Sequence, residues 1–289
     1  MKKLIQYLFV LLIFVSFWGV APCQAQENLS VSDFLLNTGV DQSVTTKISK
    51  ESPEIERRNQ LPRKIVTEAT AYTNSPQLGN VNVRKEEQTI SQLQGGLIYS
   101  AVMVHIPSPN IPSGISIYMQ NISYLGLVVV GTSVTSGIKV DNGLQAFGLI
   151  GALLGIPKIP MPFSTSNTKT FAHTEGLKTL DLNLAQAASP AVGQQWRFST
   201  SKDIRIEPGH KSISQHLSME CETTEKVEAS TIHPSFSGSA QLITCVGKAD
   251  NGNDLVRNYA FLEDYKWYFT TSSSIGQNKT DYVIKELEM

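Results

Sequence analysis

Ile213-Ser214-Gln215-His216-Leu217-Ser218-Met219-Glu220-Cys221 and Ala240-Gln241-Leu242-Ile243-Thr244-Cys245-Val246 are the two runs whose reading decides the fold. In the first, Ile213, Leu217, Met219 and Cys221 share one side of an extended chain. His216, Ser218, Glu220 and Glu222 share the other, and only Gln215 breaks the rule. A period of two is the signature of a half-buried strand. The second run is rich in β-formers, and His233-Pro234-Ser235-Phe236-Ser237-Gly238 between them holds residues that break strands and make turns. If Cys221 faces Cys245 across an antiparallel pair, opposed residue numbers sum to 466 and Thr223 meets Ile243. The midpoint then falls at His233, inside the turn cluster. Opposed residues of a non-hydrogen-bonded pair lie about 4.5–5.5 Å apart, which suits a disulfide. A Cys221–Cys245 bridge between adjacent strands is therefore expected, worth about 3.5 kcal/mol through loop-closure entropy.

The chain then continues through Asp250-Asn251-Gly252-Asn253. Asn-Gly is the strongest short-range hairpin signal, because a type I′ turn needs positive φ at both central residues. A two-residue turn there predicts Lys248 opposite Leu255 and Val246 opposite Arg257. In the next run Tyr259, Phe261, Tyr265, Trp267 and Phe269 lie in phase, and Glu263 interrupts them, so a bulge is expected at Leu262-Glu263-Asp264. The three runs together predict a disulfide-pinned, three-stranded C-terminal meander.

Residues 1–25 read as a secretory signal peptide: Lys2 and Lys3, an apolar run from Leu8 to Val20, then Cys23-Gln24-Ala25 as a small-x-small site. Cleavage is expected after Ala25. Two alternatives stay open, a lipoprotein-type signal at Val20-Ala21-Pro22-Cys23 and an uncleaved anchor, since a span needs about 20 apolar residues. Losing the signal removes two of the 24 basic residues, so 22 remain against 25 acidic ones, net −3. No charged block is long enough to point to nucleic acid. Two mature cysteines in an exported chain favour a disulfide over a metal or redox site, and the expected address is periplasmic or extracellular.

Residues 26–94 read as a polar, partly extended N-terminal segment, and 95–289 as a β-rich globular domain divisible into lobes at 95–163 and 164–289. Within the first, residues 49–64 are densely charged and carry Pro53 and Pro62. A solvated lead-in is the preferred reading there, and a partner-binding arm that orders on assembly is the rival. Val66 to Tyr72 fits one short strand or a helix turn. Leu97 to Ile106 reads as a strand buried on both faces or central in a sheet. Asn142-Gly143 suggests a second tight turn. Leu144 to Gly155 has helical spacing interrupted by Gly148 and Gly151, each costing about 1 kcal/mol relative to alanine. A buried core helix is expected there. The rival reading is membrane-surface contact through Leu144, Phe147, Leu153 and Leu154. Leu177, Leu180, Leu182 and Leu184 fit a strand or a helix equally, and 194–206 reads as strands broken near Ser201-Lys202-Asp203.

Catalytic signatures are sparse. There is no His-Glu-x-x-His and no Gly-x-Ser-x-Gly. Of His105, His173, His210, His216 and His233, only His216 with Glu220 has metal-like spacing, and on a strand those two would stand about 13 Å apart, too far for one ion. Asp250 to Asp254 is better explained as a turn than as a calcium loop. The aromatics from Tyr259 to Tyr268 are read as core rather than as a sugar platform. Asn28, Asn121 and Asn278 head glycosylation sequons. No catalytic residue, metal or cofactor is assigned. The expected fold is mainly β, an antiparallel sandwich or Greek-key-like sheet with one or two short helices. The expected function is a non-catalytic binding or assembly protein of the cell envelope or extracellular space, with a protein or glycan partner. The alternatives are a secreted hydrolase whose site is assembled from distant loops, and a membrane-associating protein using 144–163.

Overall fold

The computed structural model describes residues 30–72, 80–108, 111–138, 169–207, 211–248 and 252–289. The chain divides into two compact units, Met1–Phe34 and Leu35–Met289. In the first, Ser30 starts a helix by capping: its Oγ accepts from the Asp33 N–H at 3.1 Å. Helix α1 (Val31–Thr38) ends in the second unit at Gly39, whose φ of 80° is the left-handed conformation of a helix stop. There the Gly39 and Val40 N–H groups donate to the carbonyls of Leu36 and Leu35. Asp41 then caps α2 (Gln42–Glu51), accepting from the Ser43 N–H at 2.8 Å, and Val44 and Ile48 form its buried face.

Twelve strands follow: β1 (Lys64–Tyr72), β2 (Asn80–Gln92), β3 (Leu97–Ser108), β4 (Ile111–Tyr124), β5 (Val128–Ile138), β6 (Lys169–Leu182), β7 (Gln195–Glu207), β8 (Lys211–Glu228), β9 (Ser239–Lys248), β10 (Asp254–Leu262), β11 (Trp267–Ile275) and β12 (Asn278–Glu288). A short helix α3 (Leu184–Ala188) joins β6 to β7. Each strand pairs antiparallel with its chain neighbours, and β1 pairs with β12, so the sheet closes into a barrel. This corrects the expected sandwich or Greek-key-like sheet. Because β1 pairs with β12, neither the first nor the last strand is left as an unpaired sheet edge. The described residues also hold three α-helices rather than one or two.

The cysteine register is as expected: Cys221 faces Cys245 and Thr223 faces Ile243, and the two cysteines form a disulfide with Cα atoms 4.0 Å apart. The rest of the C-terminal meander needs correction. Asp254, not Leu255, meets Lys248, a slip of one residue that makes the β9–β10 connection longer than a two-residue turn. The aromatic run is two strands rather than one bulged strand. Residues 263–266 reverse the chain, with Lys266 at φ 46°, so Phe261 pairs with Tyr268. Leu180 and Leu182 belong to β6, whereas Leu184 opens α3, and Ser201-Lys202-Asp203 lies inside an unbroken β7. β3 is central in the sheet, between β2 and β4, and both of its faces hold a buried residue (Ile98 and Val102 on one, Ala101 on the other), although His105, on the face of Ala101, is exposed. The readings at Asn142-Gly143 and at Leu144, Phe147, Leu153 and Leu154 lie outside the described residues.

Register also assigns the two faces of the wall. Ser212, Ser214, His216, Ser218, Glu220 and Glu222 on β8 are all exposed, so this row points outward into water, where a lipid-facing strand carries apolar residues. The alternate row, carried round the barrel by cross-strand pairing, points inward. It includes Val102, Met119, Val134, His173, Glu175, Ile204, Met219, Cys221 and Cys245, all buried.

One end of the barrel is filled. Bulges interrupt β1–β12, β2–β3, β4–β5, β6–β7, β8–β9 and β10–β11, and beyond them β11 parts from β12, whose mutual pairing spans only Ser272–Ile275 with Asn278–Asp281. The freed β11 edge is met by the β4–β5 turn, where the Tyr268 N–H donates to the Leu125 carbonyl at 2.8 Å. Around it lie Ile65, Ile98, Phe236, Leu262, Tyr265, Trp267 and Ile284, one apolar cluster. Two buried tyrosines hold α3 in place: Tyr124 Oη donates to the Leu184 carbonyl at 3.1 Å and Tyr268 Oη to that of Ala187 at 2.6 Å. The charged stretch 49–64 also docks at this end, with the Arg58 and Asn59 N–H groups donating to the Asp264 carbonyl.

Gly176 on β6 is the point where the 38–40 segment approaches the wall. A Cβ there would overlap the backbone of Thr38, Gly39 and Val40, none of which can swing away like a flexible side chain. Gly176→Ala is expected to lower stability by about 1–3 kcal/mol, the usual cost of overpacking. An unchanged urea midpoint would show that the 38–40 segment does not rest on this strand.

Candidate functional site

The inward row of β6 and β7 carries a buried polar cluster. Glu175 stands two residues from His173 on one face of β6, and Lys202 reaches it from β7, the inward partner of Leu177. Glu175 Oε2 lies 2.6 Å from Lys202 Nζ and its Oε1 lies 3.2 Å from His173 Nε2. Burial works to raise the Glu175 carboxyl, but the Lys202 ammonium, then the His173 hydrogen bond, outweigh it and hold the group at about 2. The carboxylate is therefore ionised throughout the physiological range, with both oxygens engaged. Val134, opposite His173, and Ile204, opposite Glu175, pack the surrounding wall.

A second inward group lies on β10. Arg257 sits opposite Cys245 on β9 and Ser273 on β11, between inward Leu255 and Tyr259. Burial works to lower its guanidinium, but the charge and hydrogen bond of Tyr259, then Tyr282 on β12, outweigh it and the pKa is raised. Arg257 is thus permanently cationic. By residue surface Arg257 is half-buried. So are inward Ile213, Gln215 and Leu217 on β8, Ser273 and Ile275 on β11, and Thr280 and Tyr282 on β12. The opposite sector is closed, with Val102, Ile117, Val134, His173 and Ile204 all buried. Among the described side chains of the upper interior, more inward surface stays accessible along β8 and β10–β12 than along β4–β7, where Lys202 is part-exposed.

Neither a family model nor a curated protein matches the chain. Among solved structures it is similar to the crystal structure of the hypothetical lipoprotein YmcC from Escherichia coli (K12), with 8% identity and a TM-score of 0.31 over 85% of this chain and 98% of that one. A likeness this slight bears on neither ligand nor location.

The residues singled out from sequence are scattered by the fold, the cysteines excepted. His105 and His216 point outward from β3 and β8, His173 points inward, and His233 lies in the β8–β9 connection, where its Nδ1 accepts from the Ser235 N–H at 3.3 Å. His210 and Asp250-Asn251 lie outside the described residues. Glu220 shares the outward row with His216, as the strand reading required. Among the described residues no group of three His, Cys, Asp or Glu is placed to hold a metal ion. The aromatics are core: Phe261 and Tyr268 stack at 4.7 Å, Tyr259 and Tyr268 at 6.0 Å, and Phe236 and Tyr265 at 5.1 Å. Asn121 points inward, opposite Ser100 and Thr132. Sequence reading passed over Glu175, Lys202 and Arg257. The available signal was the i, i+2 spacing of His173 and Glu175, which puts both on one face of any strand.

Proposed function

We propose that this is an exported, non-catalytic binding protein of the cell envelope or extracellular space that takes a small ligand inside the upper half of its barrel. One observation carries the reading: inward Gln215, Leu217, Arg257, Ser273, Ile275 and Tyr282 keep accessible surface, whereas inward Ile117, Val134, His173 and Ile204 are buried. Closed barrels hold ligands in this way when side chains do not fill the lumen. The lining mixes apolar Leu217 and Ile275 with Gln215, Arg257, Ser273 and Tyr282, the pattern of a pocket that orients its occupant by a few polar groups. The disulfide and the Lys2-Lys3 apolar leader both favour export. The hydrolase alternative is less well supported. Among the described residues, the buried His173–Glu175 pair has its carboxylate already engaged by Lys202, so Glu175 is poorly placed to orient a general base.

Single cysteines test the lumen directly. Gln215→Cys should react with a small methanethiosulfonate reagent in the folded protein, more slowly than outward Ser214→Cys and far faster than Val134→Cys in the closed sector. If Gln215→Cys is as protected as Val134→Cys, the lumen is filled and the binding reading fails.

A further inference from the structure

We infer that the barrel interior binds a small organic anion, whose carboxylate, sulfate or phosphate group docks on the Arg257 guanidinium. The inference rests on the open lumen proposed above and adds the chemistry of its occupant.

The first support is charge. Among the described inward residues, Lys202 is neutralised by Glu175 at 2.6 Å, whereas Arg257 forms an ion pair with no described carboxylate. Its side chain hydrogen-bonds Tyr259, and Tyr282 stands near enough to act on its charge. A charge held deep in a protein without a counter-charge is costly, and proteins resolve it by pairing. A guanidinium cannot resolve it by losing its proton. Arg257 therefore stays a cation able to take an anionic partner, and its half-buried position opposite Ser273 gives a small molecule access.

The second support is shape. The planar guanidinium fork matches an oxyanion through two parallel N–H···O bonds, a geometry that lysine does not offer. Ser273, across the ladder from Arg257, and Tyr282, whose Oη lies 3.5 Å from Ser273 Oγ, add hydroxyls on the same inward side. Leu217 and Ile275 line the same open sector, which suits an organic body behind the anionic head and not a bare inorganic ion.

The test uses the full mature protein at fixed ionic strength, with benzoate, phenyl sulfate and phenyl phosphate as probes, benzyl alcohol as the neutral control and sodium sulfate as the inorganic one. At least one aromatic anion should raise the melting temperature and slow the labelling of Gln215→Cys, and benzyl alcohol should do neither. Arg257→Gln should weaken that anion by about tenfold or more, with Arg257→Lys in between. Labelling measured on the Arg257-containing Gln215→Cys protein keeps the test intact if Arg257→Gln misfolds. Equal binding by Arg257→Gln, equal effects of sodium sulfate, or no effect of any anion on a Gln215→Cys that does label would each overturn the anion. Failure of Gln215→Cys to label at all would instead remove the open lumen.

Discussion

Glu175→Gln is expected to lower the unfolding free energy by about 3 kcal/mol at neutral pH. Removing one partner of a buried ion pair usually costs about 3–5 kcal/mol, because the remaining charge is left uncompensated. The lower end applies here, since 27% of the Lys202 side chain stays exposed and water can soften the loss. Proton linkage leads to a similar figure. A carboxyl whose pKa falls from 4.5 in the unfolded chain to about 2 in the fold contributes about 3 kcal/mol when ionised in both states. Because the folded pKa is the lower one, this stability is present in full above pH 4.5 and drains away as pH falls towards 2. Urea titrations of wild type and Glu175→Gln should therefore differ most at pH 7 and converge near pH 2. Glu175→Gln combined with Lys202→Met removes both charges and should recover part of the loss. A constant difference across that pH range would mean that the charge of Glu175 does not hold β6 to β7.

The same cluster shows why so much of the barrel was hidden in the sequence. In β7, Lys202 occupies an inward position between Thr200 and Ile204, so a charge falls where alternation demands an apolar residue, and the run reads as broken. The strand continues because Glu175 on its neighbour accepts that charge, a fact about two distant segments that no local window contains. β1 is hidden for another reason. Its inward residues include Thr67, Ala69 and Ala71, small enough to be buried without giving a hydrophobic signal. The polar run from Thr270 to Ser274 likewise disguises the upper half of β11. The β8–β9 hairpin was legible because its inward residues Met219, Cys221, Ile243 and Cys245 are apolar and its connection is rich in turn formers. Closure itself was not legible. It depends on β1 meeting β12 across nearly the whole chain, and neither strand carries a mark naming its partner.

Removing the disulfide, as Cys221→Ala with Cys245→Ala, is expected to lower stability by about 2–4 kcal/mol without changing the fold. The two residues are opposed in the ladder and 24 positions apart, so the bridge ties a hairpin that backbone hydrogen bonds and the turn at 229–238 already align. The native register therefore survives its loss, and most of the effect falls on the unfolded chain, which regains the freedom of an open loop worth about 3.5 kcal/mol. Both sulfurs are also buried on the inward face, and Trp196 lies opposite Cys221. Truncation to alanine adds a small packing loss there. Urea unfolding separates the two contributions, since a less constrained unfolded state exposes more surface and steepens the denaturant slope, whereas lost packing shifts only the midpoint. The double variant should show a lower midpoint, a steeper slope and an unchanged far-ultraviolet spectrum. Wild type in reducing agent should match its slope. A midpoint equal to that of wild type would mean the hairpin holds itself without the bridge.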